Sequence, residues 1–170
     1  MATVVQLTDA GLLHKFDPVL DPDEQELRLL HTSDKLKGWL ENALPNLTSQ
    51  WDIETSPLEQ LDALIAIYAE GLPLVFERQF KAFHRKPIEP AGDGVWYLKT
   101  ADLRVFGWFW KKDCFIGVVA DTAERVKTYP LYQGYRGEVI RFREALDLDE
   151  PKFIPGEDPD AVISNYDLPD

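Results

Sequence analysis

Residues 94–120 read GVWYLKTADLRVFGWFWKKDCFIGVVA, three runs of aromatic and β-branched residues separated by short breaks near Ala101–Asp102 and Lys112–Asp113. Runs of this kind, bounded by turn-forming residues, are expected to be strands. The brevity of the second break predicts that the last two pair as a hairpin, so the whole stretch is expected to form an antiparallel meander. Within residues 104–112, RVFGWFWKK, alternation puts Arg104, Phe106, Trp108, Trp110 and Lys112 on one face and Val105, Gly107, Phe109 and Lys111 on the other. Aromatics interleaved with cations can form a stacking platform for nucleic-acid bases. Large aromatics sharing one face can equally be the core of a sheet packed on helices. We take the second reading for Phe106 and Trp108, with residues 57–84 as the covering helices and Trp110 at the margin.

Upstream, residues 56–71, SPLEQLDALIAIYAEG, carry a complete set of helix signals: Ser56 as cap, Pro57 at the first position, Glu59 closing a capping box and Gly71 as the stop. Leu61, Leu64, Ile65 and Tyr68 form its inward stripe. Phe76, Phe80 and Phe83 recur at helical spacing and predict a second helix ending before residues 87–94, PIEPAGDG. Residues 22–45 also read as helix, with a break at His31–Asp34 where Ser33 or Asp34 caps the second piece and Pro45 ends it. Residues 3–7, TVVQL, suit a short strand. Beyond the meander, residues 121–129 leave the sheet, and residues 134–146 predict a last helix with Val139, Ile140 and Phe142 inward. The tail, 147–170, is either disordered or extended along the body, anchored by Phe153, Ile154, Val162, Ile163 and Tyr166.

With 170 residues, 45% hydrophobic and 12% aromatic, the chain is expected to form one compact domain. Its parts are an acidic, mainly helical segment 1–58, an α+β body 59–146 and an acidic, proline-containing tail 147–170. The fold class expected is α+β: a small antiparallel sheet of three or more strands against N-terminal helices, with a C-terminal helix. A single cysteine, Cys114, excludes an internal disulfide and points to a reducing compartment. No signal peptide and no apolar run of membrane length are evident, so a cytoplasmic protein without a membrane partner is expected.

The net charge of −12 argues against a general polyanion binder. The charge is partitioned, however: −6 over residues 1–58, +1 over 59–146 and −7 over 147–170. His14, His31 and His84 stand far apart and no zinc-type spacing occurs, so no metal or other cofactor is expected. GDG at 92–94 lacks the remainder of a nucleotide-binding loop, and Cys114 has no neighbouring base to activate it. What remains is a group of cations near the sheet. Lys99 and Arg104 share one turn end of the meander, and Arg125 and Lys127 follow the third strand. Together they can hold phosphates and stabilise charge that develops during RNA transesterification. They can equally be solvated strand ends.

Two helices leading into the meander, and a helix after it, resemble the RelE/HigB superfamily of toxins, in particular its phage-derived HigB-like branch. Trp96, Leu98 and Lys99 match that branch's Trp-x-Leu-Arg strand, with lysine in place of arginine, and Arg104, Val105 and Phe106 match its Arg-hydrophobic-aromatic strand. The resemblance spans about residues 60–146. It implies a metal-independent, ribosome-associated mRNA endonuclease partnered by an antitoxin, with Lys99, Arg104, Lys127 and Tyr129 as catalytic candidates and Arg125 binding substrate. The chain departs from that pattern in its acidity and in ADTAERVK at 120–127, where the branch has a His-Gly-Phe-like stretch and lysines. The alternative expectation is a non-catalytic acidic binding protein on the same scaffold, engaging a basic protein partner or acting as a charge mimic.

Overall fold

The computed structural model describes residues 1–83 and 93–170. In chain order the elements are α1 Val4–Asp9, β1 His14–Lys15, β2 Leu29–Thr32, α2 Asp34–Asn42, a 3₁₀ turn at Leu44–Asn46, α3 Pro57–Ala69, β3 Leu74–Val75, β4 Phe80–Ala82, β5 Val95–Lys99, β6 Leu103–Lys111, β7 Cys114–Thr122, α4 Ala123–Thr128, α5 Tyr132–Ala145, α6 Pro159–Val162 and β8 Tyr166–Asp167. The architecture is α+β. Six strands form one sheet in the order β1-β2-β7-β6-β5-β4, and β3 pairs with β8 in a separate two-stranded ribbon. The meander β5-β6-β7 is antiparallel throughout, with Lys99 opposite Arg104 and Arg104 opposite Asp121. The full sheet is mixed, because β2 runs parallel to β7.

The sheet carries apolar layers on both faces. Leu103, Val105 and Phe109 of β6 join Leu61, Leu64, Ile65 and Tyr68 of α3 on one side. Phe106 and Trp108 join Val139 of α5, together with Val4 and Leu7 of α1, on the other. Phe106 and Trp108 are thus core residues, as expected, but their cover is α5. The helix α3 covers the opposite face. A strand buried on both sides can satisfy either assignment from its own sequence, and which helix lies where is decided by the connections.

Three local readings are corrected. Residues 74–83 form β3, a turn and β4, not a helix. Glu77 adopts φ 69° and breaks any helical run, while the Val75 N–H donates to the Gln79 side-chain oxygen at 2.7 Å. Phe80 and Phe83, three apart, fall on opposite faces of the extended chain, and each is buried in a different apolar layer. The spacing that suggested a helix stripe is met by burial on two sides. The predicted remainder of that helix, with His84, lies outside the described residues. Residues 22–32 are likewise not helical: β2 is an interior strand, with β1 on one side and β7 on the other. The break is nonetheless where expected, and the Leu36 N–H donates to Ser33 Oγ at 3.1 Å to cap α2. Residues 3–7 form no strand: Val4–Leu7 lie in α1, which Thr3 caps through a capping box.

Helix α5 buries two arginines beside Val139. Arg136 pairs with Asp93, Arg143 Nη1 donates to the Asp93 carbonyl at 2.5 Å, and the Arg143 guanidinium lies 3.8 Å from the Phe153 ring centroid. The tail continues past the β6–β7 turn. Trp108 Nε1 donates to the Lys152 carbonyl, Ile154 N–H to the Phe109 carbonyl and Asp113 N–H to the Val162 carbonyl. Val162 and Ile163 are buried in the α3-side layer. The acidic tail therefore grips the β6–β7 turn end of the meander, away from the Lys99–Arg104 end.

His31 on β2 is 4% exposed and its Nδ1 has no partner among the described residues. Burial pulls its pKa below the ordinary 6.5, with Lys15 adding to the shift and Glu26 opposing it. The unfolded chain therefore takes up a proton on His31 at a pH where the folded one does not. Stability from this group is present above about pH 6.5 and is lost as pH falls below it. The urea midpoint is expected to drop between about pH 7.5 and about pH 5.5, and to drop less in His31→Gln.

Candidate anion-binding site

The turn between β5 and β6 sets the site. Lys99, the last residue of β5, stands directly across from Arg104, so both side chains leave the sheet on the α5 side. Arg104 is 5% exposed, and its Nη1 donates to the Thr100 carbonyl at 2.7 Å and the Leu103 carbonyl at 2.8 Å. These bonds close the β5–β6 turn, while Nε has no partner among the described residues. Lys99 Nζ donates to the Glu77 carbonyl at 3.2 Å. Burial lowers the Lys99 pKa, and the charges of Arg104, Lys81 and Lys127 lower it further, against a weaker opposing pull from Glu77. Lys81 of β4, Arg104 of β6 and Lys127 of α4 thus all act on Lys99 of β5, and among the described residues none of the four forms an ion pair.

Aromatic rings floor this cationic face. Tyr97 lies across from Lys81 and Phe106, with its ring 5.8 Å from Tyr132 and 5.4 Å from Phe106. Lys81, Phe83, Tyr97, Tyr132 and Gln133 line a cavity of about 260 Å³ at the β4 edge. Burial, then Tyr132, pushes the Tyr97 pKa up to about 12. Tyr97 therefore remains protonated at neutral pH and can only donate to an anion.

Arg125 and Tyr129 have other partners. Arg125 Nε donates to both Asp121 carboxylate oxygens, at 3.2 and 3.0 Å, and Tyr135 Oη donates to Asp121 Oδ2 at 2.6 Å. Burial and the Asp121 hydrogen bond hold the Tyr135 pKa at about 12. The Arg125 guanidinium lies 5.7 Å from the ring centroid of Tyr129, which is 58% exposed. Arg125 is therefore neutralised by Asp121 and ties α4 to α5, whereas Lys127, two residues along α4, has no ion-pair partner among the described residues. The structure brings Lys99, Arg104 and Lys127 into electrostatic contact and holds Arg125 and Tyr129 in a separate network.

Sequence reasoning missed Lys81, Tyr97, Tyr132 and the Asp121–Tyr135 pair. Lys81 was hidden by the helical reading of its segment. The tyrosines depend on α5 docking over this face, which no local pattern announces. Cys114 is buried and its thiol pKa is pushed up to about 11 by that burial, which leaves it unreactive at neutral pH. Among the described residues no three His, Cys, Asp or Glu side chains are placed to hold a metal ion, and no helix is long and apolar enough to cross a membrane. No known protein family, characterised protein or solved structure gives a significant match to this chain.

Proposed function

We propose that the protein is a toxin-like endoribonuclease of the RelE/HigB kind, which binds an RNA backbone on the face formed by Lys81, Lys99, Arg104 and Lys127 and is held in check by an antitoxin partner. The observation that carries this reading is the cluster itself. In a chain of net charge −12, gathering Lys81, Arg104 and Lys127 around Lys99 with no ion pair among the described residues is costly, and a group perturbed as Lys99 is marks a place where an anionic ligand would offset the repulsion. Helix α3, the meander β5-β6-β7 and α5 keep part of the order on which the family resemblance rests, although β3 and β4 stand where its second leading helix was expected.

The chemistry needs no metal. The 2′-hydroxyl oxygen forms a bond to the adjacent phosphorus as the phosphorus–5′-oxygen bond breaks. Lys99, whose pKa is lowered by burial and by its cationic neighbours, accepts the 2′-hydroxyl proton in its neutral form. The Lys127 ammonium returns a proton to the departing 5′-oxygen. Arg104 and Lys81 offset the charge that gathers on the phosphoryl oxygens, and the protonated Tyr97 adds a hydrogen-bond donor.

Lys99 and Lys127 are the residues to test, because Arg104 also closes the β5–β6 turn. Expression in a bacterial host is expected to arrest growth and cut transcripts. Lys99→Arg should retain RNA binding and lose cleavage, because a guanidinium cannot act as the base. Lys99→Ala/Lys127→Ala should weaken binding and flatten the salt dependence by about one unit of slope per lysine. Intact transcripts and normal growth with the wild-type protein would refute the reading. A salt-sensitive complex with a basic protein, found together with that result, would favour the acidic binding module.

A further inference from the structure

On the other side of the β5–β6 turn lies a cavity of about 420 Å³ between α3 and the segments flanking β4 and β5. That volume falls in the range of about 300–1,000 Å³ typical of small-molecule sites. Its wall is apolar where Ile53, Ala63, Leu64 and Ile67 face it. Arg78, Gln79 and Lys99 stand at its rim. Arg78 and Gln79 offer side-chain donors, whereas the Lys99 side chain leaves the sheet on the α5 side. The Arg78 side chain makes no hydrogen bond or ion pair among the described residues. The Gln79 side-chain oxygen already accepts from the Val75 N–H, which leaves its NH₂ group as the donor. Three nearby acceptors are committed: Gln60 Oε1 accepts from the Asp102 N–H, the Asp102 carboxylate from Gln60 Nε2 and Thr100 Oγ1 from the Leu103 N–H.

We infer that this cavity is a binding site for a small amphipathic monocarboxylate, its apolar chain against Ile53, Ala63, Leu64 and Ile67 and its carboxylate held by Arg78 and Gln79. The Arg78 guanidinium, which can only donate, selects an oxyanion, because a neutral alcohol or amide would leave that cation unmatched. The apolar wall selects a tail over a bare inorganic anion. The site itself stands on the cavity and its rim and does not require the protein to bind RNA.

The test is calorimetric titration of the full chain with octanoate, in parallel with octan-1-ol and acetate and without RNA. Octanoate is expected to bind, with acetate and octan-1-ol each at least about tenfold weaker. Arg78→Ala, an exposed position, is expected to weaken octanoate about tenfold, and Ala63→Leu, on the exposed side of α3, to abolish binding by filling the cavity; amide spectra identify folded variants. No octanoate binding to the wild type, equal binding of octan-1-ol, or binding indifferent to both variants would each overturn the inference. Because no RNA is present, these outcomes leave the proposal for the cationic face untouched, and failure of Lys99→Arg to stop cleavage leaves this one untouched.

Discussion

Arg28→Met is expected to lower the stability of the protein by about 3–5 kcal/mol, the cost typical of removing one partner from a buried charged network. Arg28 is 1% exposed. Its Nη1 donates to the carbonyls of Tyr68 and Leu72 at 3.0 and 2.8 Å, its Nη2 to the Asn165 carbonyl at 2.7 Å, and its Nε to Asp113 Oδ1 at 3.3 Å. Burial lowers the Arg28 pKa and Asp113 opposes that shift, so the guanidinium is retained through its partners. Methionine fills much of the space but leaves three carbonyl oxygens and a carboxylate without this donor. For a chain of this size the loss corresponds to a drop of roughly 10 °C or more in the melting midpoint. A loss below about 1 kcal/mol in urea would show that water replaces the guanidinium at little cost.

Gly107→Ala is the second large effect, expected to cost about 3 kcal/mol through overpacking. Gly107 pairs with Gly117 beside a register shift in the β6–β7 ladder. A methyl group on Gly107 would run into the Ile116 carbonyl oxygen and lie 2.8 Å from Phe115 Cζ and 2.9 Å from the Gly117 Cα. Two of these are backbone atoms fixed by strand pairing. Gly117→Ala meets the Leu36 Cδ2 tip instead, which can turn aside. Denaturant midpoints should therefore rank wild type above Gly117→Ala and Gly117→Ala above Gly107→Ala. The reverse order would mean that the ladder yields more readily than the Leu36 side chain.

The readable parts of the sequence were those whose signals close within a few residues. Helix α3 declares itself because Ser56, Pro57 and Glu59 form a cap that needs no distant partner. The meander declares itself through its alternation and short turns, and the same short turn made the Lys99–Arg104 pairing legible. Strand β2 is four residues long, follows an acidic run and is buried only because β7, some 85 positions later, accepts it in parallel. Nothing near Leu29 encodes that. The site was legible to the same extent: Lys99 and Arg104 come from one turn, whereas Lys81, Tyr132 and Tyr135 join through the docking of β4 and α5. Arg125 was misleading for the same reason, since its Asp121 partner is local but the third member, Tyr135, arrives with α5.

The long reach of Arg28 also governs timing. On a chain made from its N-terminus, residues 29–32 have no parallel neighbour until residues 114–117 have been synthesised, and Arg28 does not gain its Asn165 acceptor until the last described turn has emerged. Loop closure over such separations slows folding. The first quarter of the protein is thus left waiting for distant segments: the sheet that presents Lys99 and Arg104 closes once β7 has been made, but Arg28 stays short of an acceptor until Asn165 follows.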